Sequence, residues 1–371
     1  MVLRDEQVIN KDDWHETRQR LMAFWRGEIL NRCAIAVTVP LDEEKCFATL
    51  PRYWYNEQRT PEEIRAYWLD AESIVKRNVL RFENTAYYGE AFPLINFDLG
   101  AVSHAGYFAG ARYHFRESLW FEPTILDVKT DVLRFDPEQL LYKKTMEFAD
   151  YFVSTAQGRF FVSMPDTSGG IDCLAQLRGS ENLLYDLIEN RTWVQDSAQK
   201  ILEVWLTTTE TIYQRLKGIN DGGSSIGWLS TWAEGRHAQT QCDLSVMISP
   251  RDFCELAVPE IKVQAGWMDY ALYHLDGRQQ IRHLDALLQL DEVDCIQWTC
   301  VEGQPPPTAF IPELRRIQQA GKRLLILNYD LKVIETLLQE LSSAGLYLVT
   351  RASCRDEAEA IMKAAARYTH D

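Results

Sequence analysis

The sequence predicts an α/β chain: a single (β/α)8 barrel of the TIM type, with an N-terminal helical extension over residues 1–32 and an aromatic-rich excursion near the barrel mouth. Three observations predict it. In the C-terminal third, short apolar runs recur roughly every 25 residues with amphipathic patterns between them, the rhythm of a parallel sheet or barrel. The 371 residues contain no low-complexity segment and no dividing linker, which suits one large domain over 1–371. Hydrophobic residues make up 46% and aromatic residues 11%, a globular rather than a disordered balance.

Taken in order, residues 11–25 read as a helix, 34–39 as the first strand and 61–76 as a second helix. The aromatic segment 87–120 fits helical rhythm poorly and reads as a strand-and-loop excursion over the mouth. Helices are expected at 137–155, 181–189 and 192–216, and strands at 159–164 and 225–228. Ser249-Pro250-Arg251-Asp252 has the form of a helix start: Ser249 can cap, Pro250 fits the first turn, and Asp252 complements the positive end of the helix. Strands follow at 270–274, 293–299, 323–328 and 346–350. Helices lie between and after them at 279–290, 311–319, 331–341 and 355–368, with Gly321 and Gly345 as stops.

The net charge of -15 excludes nucleic acid and anionic membrane as expected partners, because both need a basic face. It also weakens the case for a highly anionic substrate unless arginines are locally concentrated. No run approaches the roughly 18 apolar residues of a membrane span. The charged start, Met1-Val2-Leu3-Arg4-Asp5-Glu6, lacks a signal-peptide core. Eight scattered cysteines without a CxxC pair fit a reduced, cytoplasmic chain. The chain carries no GxGxxG or P-loop string, so a nucleotide is not indicated.

The most informative string is Tyr273-His274-Leu275-Asp276-Gly277. Residues i and i+2 of a strand share a face, so His274 and Asp276 project together at a strand end, where they can bind a metal, move a proton or simply stitch a loop. Cys354 follows the strand at 346–350 and is expected on the same rim, as a third ligand of a zinc site with one open position. A barrel gathers chemistry at the C-terminal ends of its strands. That rule brings Asp166, Asp243 and Asp98 forward as candidate acids, and Trp228, Trp298, Asn328 and Arg351 as candidate substrate contacts. Asp243 can equally bond loop amides. His283-Leu284-Asp285 repeats the same string inside a helical stretch, where its polar pair diverges, and reads as structural.

On these residues the chain resembles the uroporphyrinogen decarboxylase superfamily, and more closely its decarboxylase-like branch related to corrinoid-dependent methyltransferases. The resemblance runs through Glu28-Ile29-Leu30-Asn31-Arg32-Cys33, Phe92-Pro93, Asp98-Leu99-Gly100, the His274 string and Ile296-Gln297-Trp298. It implies a (β/α)8 barrel with its site at the C-terminal rim. The decarboxylases proper carry an N-terminal arginine-rich string for the carboxylates of a tetrapyrrole. Here that region reads Leu41-Asp42-Glu43-Glu44-Lys45, a poor cradle for a polyanion, so uroporphyrinogen is disfavoured. The methyltransferase branch binds zinc through a His-x-Cys pair and a later cysteine. His274 matches the histidine, Asp276 stands in place of the first cysteine, and Cys354 corresponds to the second. Exchanging Cys for Asp makes the site harder and less rich in thiolate.

The expected function is therefore methyl transfer between a small substrate or thiol and a corrinoid carried by a partner protein, with zinc at the rim. A metal-free decarboxylase of a carboxylic acid is the second expectation, and a non-catalytic ligand- or partner-binding barrel the third. A homodimer is among the assemblies expected.

Overall fold

The computed structural model describes residues 11–371 apart from Ser168, Cys300, Glu302 and Asn328. Its strands, in chain order, are β1 (Ala34–Pro40), β2 (Thr85–Gly89), β3 (Leu94–Ile95), β4 (Arg112–Phe115), β5 (Leu119–Glu122), β6 (Phe161–Val162), β7 (Gly223–Ser224), β8 (Ala233–Glu234), β9 (His237–Thr240), β10 (Tyr270–Asp276), β11 (Cys295–Thr299), β12 (Arg323–Leu327) and β13 (Leu346–Arg351). Seven form one sheet in the order β2-β1-β13-β12-β11-β10-β9. Every pairing in it is parallel except the edge strand β2, which runs antiparallel to β1. A short parallel pair, β3 with β6, and a parallel bridge from Met164 to Ile226 continue the same strand direction.

The sheet has two differently furnished faces. Helices cover one, where alternate strand residues such as Ile35, Val37, Tyr273, Leu275, Ile296 and Trp298 join the larger apolar core. The residues between them in sequence face the other way, as the two-residue period of a strand requires. Near the strand starts, Ala34, Leu272, Cys295, Leu325 and Tyr347 form a second, smaller core that Phe161, Ile226 and Trp232 also enter. Two residues further along β10 and β11 that face turns polar, with His274 and Asp276 on one strand and Gln297 and Thr299 on the other. The apolar half holds the strands together, and the polar half is free for chemistry.

The helix Trp14–Arg26 closes the apolar end. Its Trp25 ring lies 4.8 Å from His237 and 5.3 Å from Tyr270, at the starts of β9 and β10, and its indole N–H donates to Trp232 O at 2.9 Å. Arg323, at the start of β12, donates to Trp25 O at 2.8 Å. The fully buried Glu90 clamps the same end. It accepts from the Ile35 N–H at 2.7 Å, from Arg20 at 2.5 Å and from Arg32 at 2.6 Å.

Most expected elements are present. The strand starts in the C-terminal third agree within two residues, and Ser249 caps its helix by accepting from Asp252 N. Four differences matter. The helix expected over 61–76 is two helices, Pro61–Leu69 and Ala71–Glu83, divided at Asp70, whose side chain caps the second. The strand expected over 159–164 contracts to β6, and the one over 225–228 gives way to β7 and a turn. The excursion contains β3 as well as the hairpin of β4 and β5, which packs Phe115 on Trp68. Residues 237–240, outside every strand read from the sequence, form the wholly buried strand β9. Among the described residues no helix is long and apolar enough to cross a membrane.

Candidate functional site

The polar ends of β10 and β11 open into a cavity of 1070 Å³ whose wall includes Asp166, Trp228, Gln241, Asp243, His274, Asp276 and Trp298. His274 and Gln297 are register partners on adjacent parallel strands, so their side chains meet on the same face. The Gln297 amide N–H donates to Thr299 Oγ1 at 2.6 Å, which leaves its carbonyl oxygen for His274 Nδ1. A carbonyl only accepts, so Nδ1 carries the proton and Nε2 presents a lone pair. Burial also pushes the imidazole below its ordinary pKa, which favours this neutral form.

Two carboxylates face that lone pair. Asp276 Oδ1 lies 4.0 Å from His274 Nε2. Asp243 stands just after β9, and ligand atoms of Asp243, His274 and Asp276 all fall within 4.8 Å of one another. Asp243 Oδ2 accepts from the Gln241 amide at 2.9 Å, while its Oδ1 is buried without a hydrogen-bond partner. Three acceptors thus converge, and among the described residues no donor reaches Asp243 Oδ1. Burial, reinforced by the charge of Asp276, pushes the Asp243 carboxyl up to about 6. Behind it, Asp172 accepts from the Asp243 and Leu244 amides at 2.9 Å, and burial together with the Asp243 charge pushes it to about 7. Glu260, buried against Gly170 N, is pushed to about 8 by burial. The glycines at this turn are dictated by these acids. A Cβ on Gly169, whose φ is +77°, would meet Asp172 Oδ2 at 2.4 Å, and one on Gly170 would meet both Glu260 oxygens at 2.9 Å.

A relay of amides sets the acids in place. Trp228 donates to Gln239 Oε1 at 2.7 Å, and Gln239 donates to Asp166 Oδ1 and to Gln241 Oε1, each at 2.9 Å. The edge of Trp228 meets His274 with ring centroids 5.1 Å apart.

The structure therefore brings His274, Asp276, Asp243, Asp166, Trp228 and Trp298 to one cavity. Cys354 does not join them. It is exposed at the N-cap of the helix Arg355–Arg367, three residues beyond the end of β13, and lies outside the group that can share an ion. Asp98 accepts from the Gly100 N–H at 2.5 Å in a tight turn and is not part of the cavity wall. Arg351 lines an adjoining pocket, stacked on Phe47 at 4.1 Å. Asn328 lies outside the described residues. His283 packs flat on Phe253 at 4.3 Å and bonds Ser245 O, a structural role. Sequence reasoning missed Gln239, Gln241, Gln297, Asp172 and Glu260. The alternation Gln239, Gln241, Asp243 is the signal that could have found the first two.

Mostly parallel strands with an acid- and histidine-lined cavity at their C-terminal ends define an α/β chain whose candidate site lies where such sheets place their ligands. Its fold is similar to that of a methyltransferase from Methanosarcina mazei. The two are 10% identical, with a TM-score of 0.58 over 95% of this chain and 98% of that one. The resemblance read from the sequence holds at the level of fold. A B12-independent methionine synthase from Shewanella sp. W3-18-1, in complex with selenomethionine, aligns with a TM-score of 0.46 at 11% identity, over 91% and 97% of the two chains. No family model and no curated protein matches the sequence.

Proposed function

We propose that this chain is a methyltransferase on a single barrel domain, moving a methyl group between a small substrate or thiol and a corrinoid protein. In this reading β3, β6 and the segment at Ile226 complete the barrel, since their side chains share the small core inside the sheet. The observation that carries the site is the convergence of three acceptors, one of them a buried oxygen without a hydrogen-bond partner among the described residues. Such a set fits a divalent cation: it supplies one nitrogen and two carboxylate ligands of the kind zinc accepts, and a fourth position facing the cavity. His274 Nε2, Asp276 and Asp243 would hold the ion, with Asp243 in the place expected for Cys354. Bound there, zinc would supply Lewis-acid stabilisation of a substrate thiolate.

The chain's own residues do the rest. Gln297 fixes the imidazole tautomer and Gln241 fixes Asp243. Trp228 excludes water from the cavity wall, and Asp166 anchors a polar group of the substrate. Methyl transfer as the reaction is supported by the fold shared with the Methanosarcina protein.

The test is elemental analysis of protein purified without chelator, followed by a methylcobalamin demethylation assay with a small thiol. Near-stoichiometric zinc is expected in wild type and in Cys354→Ala, and is lost in His274→Ala together with demethylation. Absence of metal from wild type after zinc supplementation would remove the zinc site. A metal-free decarboxylase is the second reading, favoured by one observation: Asp243 is held protonated to about pH 6 beside the cavity, as a proton donor to a carbanion requires.

A further inference from the structure

The cavity adjoins a second pocket of 390 Å³, and Leu50 and Trp228 line both. Two arginines, Arg81 and Arg351, line the smaller pocket together with Thr85, Tyr87, Asn96 and Ser230. Arg81 comes from the helix Ala71–Glu83 and is partly buried. Its Nη2 donates to Asn78 Oδ1 at 2.6 Å and to Leu94 O at 3.4 Å. Among the described residues no carboxylate pairs with it. Among the groups around it are the phenols of Tyr87 and Tyr67, and burial pushes both above their ordinary pKa, so neither supplies a negative charge near pH 7.

A guanidinium drawn out of water without a counter-charge is unfavourable unless something anionic joins it. The chain has 54 acidic residues against 39 basic ones, so a carboxylate partner was available to selection and none stands beside Arg81. Arg351 reaches the same pocket from the end of β13, with its guanidinium on Phe47 and only a loose contact, 3.8 Å, to Glu43. Gly227 lets Asn96 approach closely in this wall, because a Cβ there would meet Asn96 Oδ1 at 2.1 Å.

We propose that this pocket is an oxyanion subsite of the active cavity, so that the substrate is a small organic acid. Its carboxylate, sulfonate or phosphate docks on Arg81 and Arg351, and its other end passes Trp228 to reach His274 and Asp276. Arg fits this role because its planar fork pairs two oxygens at once. The subsite itself stands on a guanidinium that, among the described residues, has neutral partners and no carboxylate. Only the direction of the substrate's other end rests on the proposed methyl-transfer site.

The test is thermal-shift and calorimetric titration with acetate, methanesulfonate and inorganic phosphate at constant ionic strength. The proteins are wild type, Arg81→Gln, Arg81→Lys, Arg351→Gln and His274→Ala. At least one oxyanion is expected to bind saturably. Its affinity should fall at least tenfold in Arg81→Gln, fall less in Arg81→Lys and Arg351→Gln, and persist in His274→Ala. The best of the three probes identifies the acid. If Arg81→Gln fails to fold, Arg81→Lys and Arg351→Gln carry the comparison. Binding by none of the probes, or equal binding by wild type and the arginine variants, overturns the subsite. Loss of zinc from wild type with oxyanion binding intact would instead overturn only the metal reading.

Discussion

Gln297 sits opposite His274 in the β10–β11 register and accepts the proton of its Nδ1, turning Nε2 toward Asp276 and Asp243. A residue that touches no substrate thereby decides which nitrogen faces the cavity. Gln297→Leu removes that acceptor while keeping volume. Zinc affinity is expected to fall roughly 10- to 100-fold, as outer partners of metal-bound histidines usually show. Competition with a chelating dye measures it, and unchanged affinity would mean the ring is held by packing alone.

Metal affinity should depend steeply on pH. The Asp243 carboxyl, at about 6, must lose its proton to act as a ligand, and His274 must be neutral. Binding is therefore expected to tighten from pH 5.5 to 7.5 and to release protons over that range. Calorimetry in buffers of different ionisation enthalpy counts those protons. A pH-independent affinity would exclude Asp243 from the ligand set.

Glu260 predicts an opposite trend in stability. Its folded pKa, about 8, lies above the ordinary 4.5, so the folded state binds the proton more tightly than the unfolded state. The resulting stabilisation is complete below about pH 4.5, declines as pH rises, and is gone above about pH 8, a change on the order of a few kcal/mol. Glu260→Gln keeps an acceptor for Gly170 N without the titration. Its melting temperature is expected to vary less than that of wild type between pH 5 and 9. Parallel profiles for the two proteins would place the titration elsewhere.

Glu90→Ala leaves Arg20 and Arg32 without their shared carboxylate and Ile35 N without its acceptor. Removing one partner of a buried ion cluster typically destabilises by about 3–5 kcal/mol. A large drop in melting temperature is expected while zinc content per folded molecule stays at the wild-type level, because the cluster lies at the far end of the strands from His274.

The sequence made some parts of this architecture legible and concealed others for physical reasons. His274 and Asp276 could be placed because alternation at a strand end is local, and the βα rhythm of the last hundred or so residues is likewise local. β9 was concealed because His237, Gln239 and Thr240 are polar yet buried, so the hydrophobic pattern carried no strand signal. Cys354 was placed on the rim by counting from the strand. Ala352 and Ser353 carry the chain past the sheet before the helix begins, and the thiol ends up in solvent. Arg81 was concealed altogether, since an arginine on a helix is normally solvated and only the tertiary fold shows what surrounds it.

The change from apolar to polar along the inner face of β10 and β11 has an evolutionary consequence. Residues such as Leu272 and Cys295, locked beneath the Trp14–Arg26 helix, answer for cohesion. Residues two to four positions further on answer to whatever enters the cavity. Mutations at the tips can therefore be sampled with little penalty to folding, and a ligand set can be exchanged one side chain at a time. The aspartate at 276 stands at such a tip, where a side chain can be exchanged without disturbing the core beneath it. Chains with this architecture should diverge fastest in chemistry where they diverge least in backbone.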